Sequence, residues 1–542
     1  MMKKVFALAS VFTLTAATVL PAFAADKAKK SAPDDAEKPV ALNFFKPGEK
    51  TTEGSVTVEG KRIDYTAVAG TLVVHAKGWD DVPPVPGSKD AKDDLKTPPA
   101  ESSMFYVAYF KKGADPATRP VTFLYNGGPG SSTVWLHMGA FGPRRVVTSD
   151  DAHTPAAPYK VVNNDWSLLD ATDLVFIDAP GTGFSRIAGK DAKKNFYGMD
   201  QDAHAFAQFI LKFLSKYGRW NSPKYLFGES YGTTRSAILV DRLETDDDVD
   251  FNGVILLSQI LNYDLSVDGP ETNPAIDLPY VLALPTYAAT AWYHHKLPAQ
   301  YKDLDALLAE VKAFSTGDYA QALNAGLGLD PKAKQAVAEK LHDYTGLPVS
   351  YILKANLRID GGEFEKTLEG DSDDTVGRLD TRFSGPTLDP LSKEANYDPQ
   401  GAAISSAYVS AFNNYAHKVL DYSTDEIYLP EIDSIEHWNF TVLQPPYGNE
   451  SSTPNVMPDL ADAMKQNPDL KILLNAGYFD LATPFSEGVY EMRHLQIPTK
   501  LFKNISFHFY RSGHMVYAHQ PALVKLHDNV AAFIRATDNQ GK

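Results

Sequence analysis

The chain has 542 residues, 44% hydrophobic and 22% charged, a globular composition long enough to bury a sizeable core. Its 68 acidic and 52 basic residues leave a formal charge of −16, a surface that repels nucleic-acid phosphates and anionic lipid and argues against both as partners. The absence of cysteine excludes thiol nucleophiles, thiolate metal sites, iron–sulfur ligation and disulfides.

Lys3 and Lys4 precede an uncharged, mostly apolar run over residues 5–20, followed by Pro21 and Ala22-Phe23-Ala24. This basic, apolar, small-residue order predicts a secretory signal peptide over residues 1–24. The run is shorter than the ~20 residues a membrane span needs, so no integral membrane segment is expected after its removal. Export follows, most simply to a bacterial periplasm and otherwise to the medium. Residues 25–54 read as a flexible leader, rich at first in Lys, Asp, Ala and Pro. From Ser55 the alternation in SVTVEGKRIDYTAVAGTLVVHA predicts a β-hairpin, and residues 79–102 a loop. Strands are expected at 104–110, 121–126, 173–180, 224–230, 253–262 and 470–477, several of them near-continuous apolar runs of the kind buried on both faces. Helical segments at 203–217 and 233–243 alternate with them, so the fold class is α/β: a doubly wound, mostly parallel sheet. Residues 263–456 break that rhythm with helical stretches (302–314, 331–344, 404–419) and acidic, Pro/Gly-rich loops (360–396), and predict a large, mainly helical cap insertion. The core is thus expected over 55–262 and again over 457–542.

One turn carries chemistry. Gly228-Glu229-Ser230-Tyr231-Gly232 joins an apolar strand to a helix. A nucleophile on such a strained turn needs glycine on both sides, and the helix N-terminus adds positive field where negative charge develops. A serine hydroxyl needs a base oriented by a carboxylate, and on α/β-hydrolase scaffolds the order is Ser, acid, His. Asp480 follows the strand at 470–477, and His514 lies in a Gly513-His514 loop before a C-terminal helix. His508 falls inside a strand and reads as structural; His519 is the substitute base; His137, His204, His294 and His295 read as packed or solvated. The amide of Tyr231 is one natural oxyanion donor, and the loop Asn126-Gly127-Gly128-Pro129-Gly130 after an early strand is the place for the second. No Gly-Lys-Ser/Thr follows that loop, so it is no phosphate cradle.

NGGPGSS (126–132), NNDWSLLDATDLVFIDAPGTGFS (163–185), YLFGESYG (225–232) and SGHMV (512–516) occur in the order found in serine carboxypeptidases. With them the chain resembles that family, of the carboxypeptidase Y type with an α/β-hydrolase fold, in a bacterial exported branch. The resemblance implies a triad of Ser230, Asp480 and His514 and an oxyanion hole from the amides of Gly128 and Tyr231. It also implies that Asn126 and Glu229 bind the substrate's terminal carboxylate. The implied activity is removal of C-terminal residues from peptides and proteins through an acyl-enzyme, with no metal or other cofactor. An esterase or acyltransferase using the same triad is the alternative.

The departures from the family pattern are specific. Ser131 stands where a cysteine is usual, Leu124 where a tryptophan is usual, and Tyr517 where GHMVP has proline. Ala140 in AFGP takes the place of a second glutamate, which removes the pairing of two carboxyls that favours acid pH. Work at less acidic pH, or help from Arg144 or Arg145 in holding the carboxylate, is the expectation that follows.

Overall fold

The computed structural model describes residues 44–79, 99–422, 424–433 and 435–540. The segment 1–24 and residues 25–43 of the expected leader lie outside the described residues, as do residues 80–98 of the expected loop. The first strand, β1 (Glu49–Val58), opens ahead of the expected boundary at Ser55 because Glu49 to Gly54 extend the antiparallel ladder with β2 (Lys61–His75). The turn between them is Glu59-Gly60, both at positive φ, the two-residue hairpin geometry.

Nine strands form the path of a ten-stranded sheet: β3 (Glu101–Lys111), β4 (Val121–Tyr125), β5 (Asp173–Ile177), β6 (Lys224–Glu229), β7 (Gly253–Leu257), β8 (Lys471–Gly477) and β9 (Ile505–Tyr510) follow the hairpin. The spatial order is β1-β2-β3-β5-β4-β6-β7-β8-β9, with the short strand Arg186–Ala188 beside β3. The strands up to the β3–β5 pair are antiparallel and all later pairs are parallel. This is the doubly wound, mostly parallel sheet of an α/β-hydrolase fold.

Alternation sorts each strand into two cores. Phe123, Val175, Leu226, Val254 and Leu474 face one layer with Phe206, Phe209 and Phe213 of α1 (Met199–Tyr217). Leu124, Phe176, Phe227, Ile255 and Leu473 face the other, with Leu526 and Val530 of the C-terminal helix Gln520–Thr537. The strand expected at 253–262 ends at Leu257, because Ser258 turns to positive φ and leaves the ladder.

Within 263–456, three helices, α2 (Leu278–Tyr293), α3 (Leu304–Phe314) and α4 (Pro331–Thr345), share the first core through Tyr287, Leu307 and Leu341. Helix α5 (Pro399–Lys418) departs from the expected cap: Ala407, Ala411, Phe412 and Tyr415 are part of the second core, under the sheet's other face. Its run of alanines lets the helix come close to the buried aromatics. The acidic stretch 360–396, expected as loop, contains the helix Gly361–Thr367, capped by the Asp360 carboxylate, and a ribbon pairing Asp374–Val376 with Ser384–Pro386. Among the described residues no helix is long and apolar enough to cross a membrane.

The parallel register decides where chemistry can sit. Tyr125 lies opposite Gly228, and Leu257 opposite both Glu229 and Asn475, so the chain leaves β4, β6, β7 and β8 at one sheet edge. The opposite ends of these strands are locked by Arg219, 1% exposed, which donates to Asp173 at 2.7 Å, to the Arg119 carbonyl at 2.7 Å and to Ser222 at 2.7 Å. Removing one member of a buried pair leaves the other charge uncompensated. Here Asp173 keeps Arg119 at 3.2 Å, so Arg219→Met, which removes these bonds without stranding the carboxylate, is expected to cost about 1–3 kcal/mol in urea unfolding; a cost above about 5 kcal/mol would mean that Arg119 does not compensate Asp173.

Candidate active site

At the end of β6 the backbone turns sharply at Ser230, whose φ of 60° and ψ of −131° are strained for any residue with a Cβ. Two bonds impose that conformation: the Ser230 amide donates to Leu257 O at 3.0 Å, and its carbonyl accepts from the Thr233 amide at 2.7 Å. Ser230 is half-buried and is the N-cap of the helix Tyr231–Thr245. Glycine at 228 is required by space, since a Cβ there would stand 2.1 Å from Gly232 O.

The glycine loop lies directly on this turn. A Cβ at Gly127 would meet the Tyr231 amide nitrogen at 2.5 Å and the Gly232 nitrogen at 2.7 Å. The close approach puts the Tyr231 nitrogen beside the backbone of Gly127. Gly128 and Gly130 have φ of 103° and 92°. Arg235, fully buried, ties loop to helix: it donates to Asn126 O at 2.7 Å and to Asp202 at 2.6 Å, with its guanidinium 4.2 Å from the Phe206 ring centroid. Segment 429–432 braces the loop from outside through Ser132 N to Pro430 O (2.8 Å) and Ile432 N to Gly130 O (2.9 Å). Ser131 accepts from Trp135 Nε1 at 2.8 Å, so a hydrogen bond occupies the position where the family has a cysteine.

The second long matching motif holds the turn of helix that follows. Asn164 Nδ2 donates to the carbonyls of Ala140 and Gly142, each at 2.8 Å, and Ser167 Oγ donates to Phe141 O at 2.8 Å. These groups satisfy carbonyls that the widened helix Leu136–Phe141 leaves open. Asp178, pushed up to about 7 by burial, accepts from Thr133 N at 2.8 Å and Tyr428 Oη at 3.3 Å.

Asp480, wholly buried, follows β8 and accepts from His514 Nδ1 at 2.9 Å, Thr483 N at 3.0 Å and Thr483 Oγ1 at 2.8 Å. With Nδ1 donating, Nε2 is the ring nitrogen left to accept a proton. Burial lowers the His514 pKa, but the charge and hydrogen bond of Asp480 outweigh it and the net shift is upward. His514 is fixed at both backbone ends: its amide donates to Leu379 O at 2.6 Å and its carbonyl accepts from Ser258 Oγ at 2.7 Å. Gly513 N donates to Asp380 Oδ2 at 3.1 Å, and Asp380 is paired with Arg382 at 2.6 Å. Of the rival histidines, His519 faces Asp150 at 3.5 Å and His508 lies within β9. His137 is buried and hydrogen-bonds Tyr109 at 2.7 Å, and burial pushes it down to about 3.

Glu229 is buried, and burial raises its pKa to about 7 against the opposing effects of His514, Tyr517 and Asn126. Tyr517 Oη donates to its two oxygens at 2.9 and 3.2 Å. Asn126 bonds the same carboxyl, while its Oδ1 accepts from Leu136 N at 3.2 Å. The structure therefore brings Asn126, Glu229, Ser230 and Tyr231 into one cluster, and Asp480 and His514 into another joined to it through Ser258. Ala140 is buried, and its side chain brings no polar group. Sequence reasoning noted Tyr517 only as an oddity and passed over Arg235, Tyr408 and residues 378–382. The one available signal was the departure from GHMVP at Tyr517. Among the described residues no group of three or more His, Asp or Glu is arranged to hold a metal ion.

Comparison with known proteins shows a likeness to serine carboxypeptidases over part of the chain. A family model described as serine carboxypeptidase matches residues 94–296. Serine carboxypeptidase S10 family member 1 of Dictyostelium discoideum is 29% identical over 132 residues, 24% of this chain and 29% of that one. Serine carboxypeptidase-like 16 of Arabidopsis thaliana is 24% identical over 192 residues (34% and 42%), and carboxypeptidase Y of Saccharomyces cerevisiae 24% over 153 residues (28% and 27%). The matched stretch spans less than half the length of each of these relatives. Among solved structures, a proline iminopeptidase from Mycobacterium smegmatis aligns over 91% of this chain and 100% of its own at 11% identity, with a TM-score of 0.33.

The strain at Ser230 is measurable. Ser230→Gly is expected to raise the unfolding free energy by about 1 kcal/mol, the relief of strain less glycine's entropy, while removing the hydroxyl; an unchanged or lower denaturation midpoint would argue that the turn is unstrained. Gly127→Ala drives a methyl into the Tyr231 amide, and kcat on an activated ester should fall roughly 100-fold or more.

Proposed function

We propose that this protein is a serine hydrolase acting as a carboxypeptidase: it cleaves the last peptide bond of peptides or proteins through an acyl-enzyme on Ser230. The observation that carries the reading is the buried Asn126–Glu229–Tyr517 cluster immediately beside the nucleophile turn. A carboxyl held neutral to about pH 7 can donate a hydrogen bond to a carboxylate, and a general esterase has no use for one there.

His514 Nε2 takes the Ser230 proton as Oγ attacks the terminal peptide carbonyl. Asp480 holds the ring and stabilises the imidazolium that forms. The amides of Tyr231 and Gly128 receive the oxyanion, each donor worth roughly 3 kcal/mol in the transition state. His514 then protonates the departing amine, water enters, and the same base activates it against the acyl-enzyme. Asn126 and Glu229 hold the carboxylate of the departing residue. An esterase or acyltransferase on the same triad is the second reading, favoured by the apolar Ala140. The basic, apolar and small-residue segments at 1–24 support export, to a bacterial periplasm or beyond the cell.

Ser230→Ala should lose about a million-fold in kcat without loss of stability. A panel of N-blocked dipeptides as free acids, amides and esters decides the class: turnover of amides and esters alone would exclude a carboxypeptidase. The pH profile tests Glu229 itself. Its raised pKa keeps it protonated below about 7, so kcat/KM for free acids should fall as pH rises through about 7, with no such limb for the matching ester. Both substrates should share an acid limb set by the raised His514, and because Glu229 and His514 interact, the limbs belong to the pair. A free-acid profile falling steeply above pH 5 would mean that Glu229 ionises as an ordinary carboxyl.

A further inference from the structure

Two arginines follow the helix Leu136–Phe141, and their side chains have different surroundings. Arg144 is committed: it donates to Asn163 Oδ1 at 3.3 Å and to Ser55 O at 3.4 Å, away toward β1. Arg145 lies across the Trp166 ring, 5.1 Å from its centroid, with one long bond to Gln520 at 3.4 Å. Its Nε is buried and has no hydrogen-bond partner, and among the described residues it forms no ion pair. Asp165, the carboxylate whose field reaches it, accepts instead from Asn163 Nδ2 at 2.9 Å.

Arg145 lines a cavity of about 150 Å³ together with Gly139, Tyr408, Tyr517 and Gln520. Tyr517 is the residue whose hydroxyl sits on Glu229, so the cavity adjoins the candidate carboxylate site. Tyr408 spans the gap, its hydroxyl within the fields of both Glu229 and Arg145. Gly139 gives the two rings their room, since a Cβ there would stand 2.6 Å from Tyr408 and 2.8 Å from Tyr517. Asp150, the acid on the cavity's rim, lies 3.3 Å from Arg382, which also pairs with Asp380, and 3.5 Å from His519, whose pKa burial lowers. The cavity therefore has aromatic walls, one of them Tyr517, whose hydroxyl bonds Glu229, and it is lined as well by a guanidinium without an ion-pair partner among the described residues.

We propose that this cavity receives the side chain of the substrate's C-terminal residue and that Arg145 selects an acidic one, so that peptides ending in glutamate or aspartate are the preferred substrates. The inference rests on the carboxypeptidase reading. The terminal carboxylate occupies Asn126 and Glu229, and the side-chain carboxylate occupies the guanidinium, which offers it several donors in one plane. Glutamine, of the same shape and without the charge, forfeits the charge-assisted bond.

The test is kcat/KM for N-blocked dipeptides sharing one penultimate residue and ending in Glu, Asp, Gln, Leu or Lys, with wild type, Arg145→Met and Arg145→Glu. The wild type should prefer Glu to Gln by roughly 10- to 100-fold. In Arg145→Met that ratio should collapse toward one, and in Arg145→Glu the preference should move to Lys; labelling of Ser230 by a fluorophosphonate shows that each variant is folded. Cleavage of the free acids without a Glu preference, or a preference that survives in Arg145→Met, overturns this inference alone. A wild type that labels with the fluorophosphonate yet cleaves no free acid overturns the carboxypeptidase reading and this inference with it.

Discussion

The arrangement depends on how closely two backbones approach at the sheet's carboxyl edge. The glycine loop after β4 and the Ser230 turn after β6 come near enough that a single Cβ at Gly127 would sit 2.5 Å from the Tyr231 nitrogen. Neighbouring parallel strands fix the starting points, since Tyr125 is already opposite Gly228. The contact itself is held from within by Arg235, which bonds the Asn126 carbonyl while its charge is matched by Asp202 and covered by aromatic rings. A buried ion pair is a weak source of net stability, and its value here is directional: it sets where Asn126 and the following amides point. Oxyanion stabilisation requires such preorganisation, because donors that must move to meet the charge lose much of their benefit.

A second layer of constraint comes from parts of the chain far away in sequence. Residues 378–382 accept the His514 amide, accept the Gly513 amide through Asp380, and meet the acid loop where Thr381 N bonds Phe479 O at 2.9 Å. Segment 429–432 does the same for the glycine loop. The stretch 263–456 thus supplies bonds that hold the loops of Asp480, His514 and Gly127–Ser132 in mutual register. Its helix α5 completes the core under the sheet.

What the sequence made legible follows from how local each signal is. Strands β4 to β8 are short apolar runs flanked by breakers, and their existence is readable because burial on both faces leaves a continuous hydrophobic record. Ser230, Asp480 and His514 each have a local context that the sequence shows, a glycine-flanked turn, a strand end and a glycine-flanked loop, and of these the structure brings Asp480 and His514 into contact at 2.9 Å. Arg235 has none, since it is one arginine on a helix whose role exists only once β4 and α1 are beside it. The bracing by residues 378–382 was equally invisible, for their acidic, Pro/Gly-rich surroundings read as solvated loop. The strand expected at 253–262 is shorter in the structure: Ser258-Gln259-Ile260 carries no breaker residue, and tertiary bonds to Thr233 and Glu491 redirect it.

The exchange at Ala140 and Tyr517 has a physical reading that neither position gives alone. Two carboxyls sharing a proton bind an anion only while that proton is present, which restricts such a site to acid conditions. Here Glu229 has lost that partner and gained a phenol. A tyrosine hydroxyl is a neutral donor throughout the physiological range, and burial moves the Tyr517 phenol still further from ionisation. The Tyr517 hydroxyl bonds the Glu229 carboxyl itself, and burial raises the Glu229 pKa without a second carboxyl beside it. The cavity beside Gly139 is walled by Tyr408 and Tyr517 and lined by Arg145, with Asp150 at its rim. On the proposed reading the neutral phenol stands next to Glu229 and the Arg145 guanidinium beyond it, so the side chain of the departing residue would matter as much as its carboxylate.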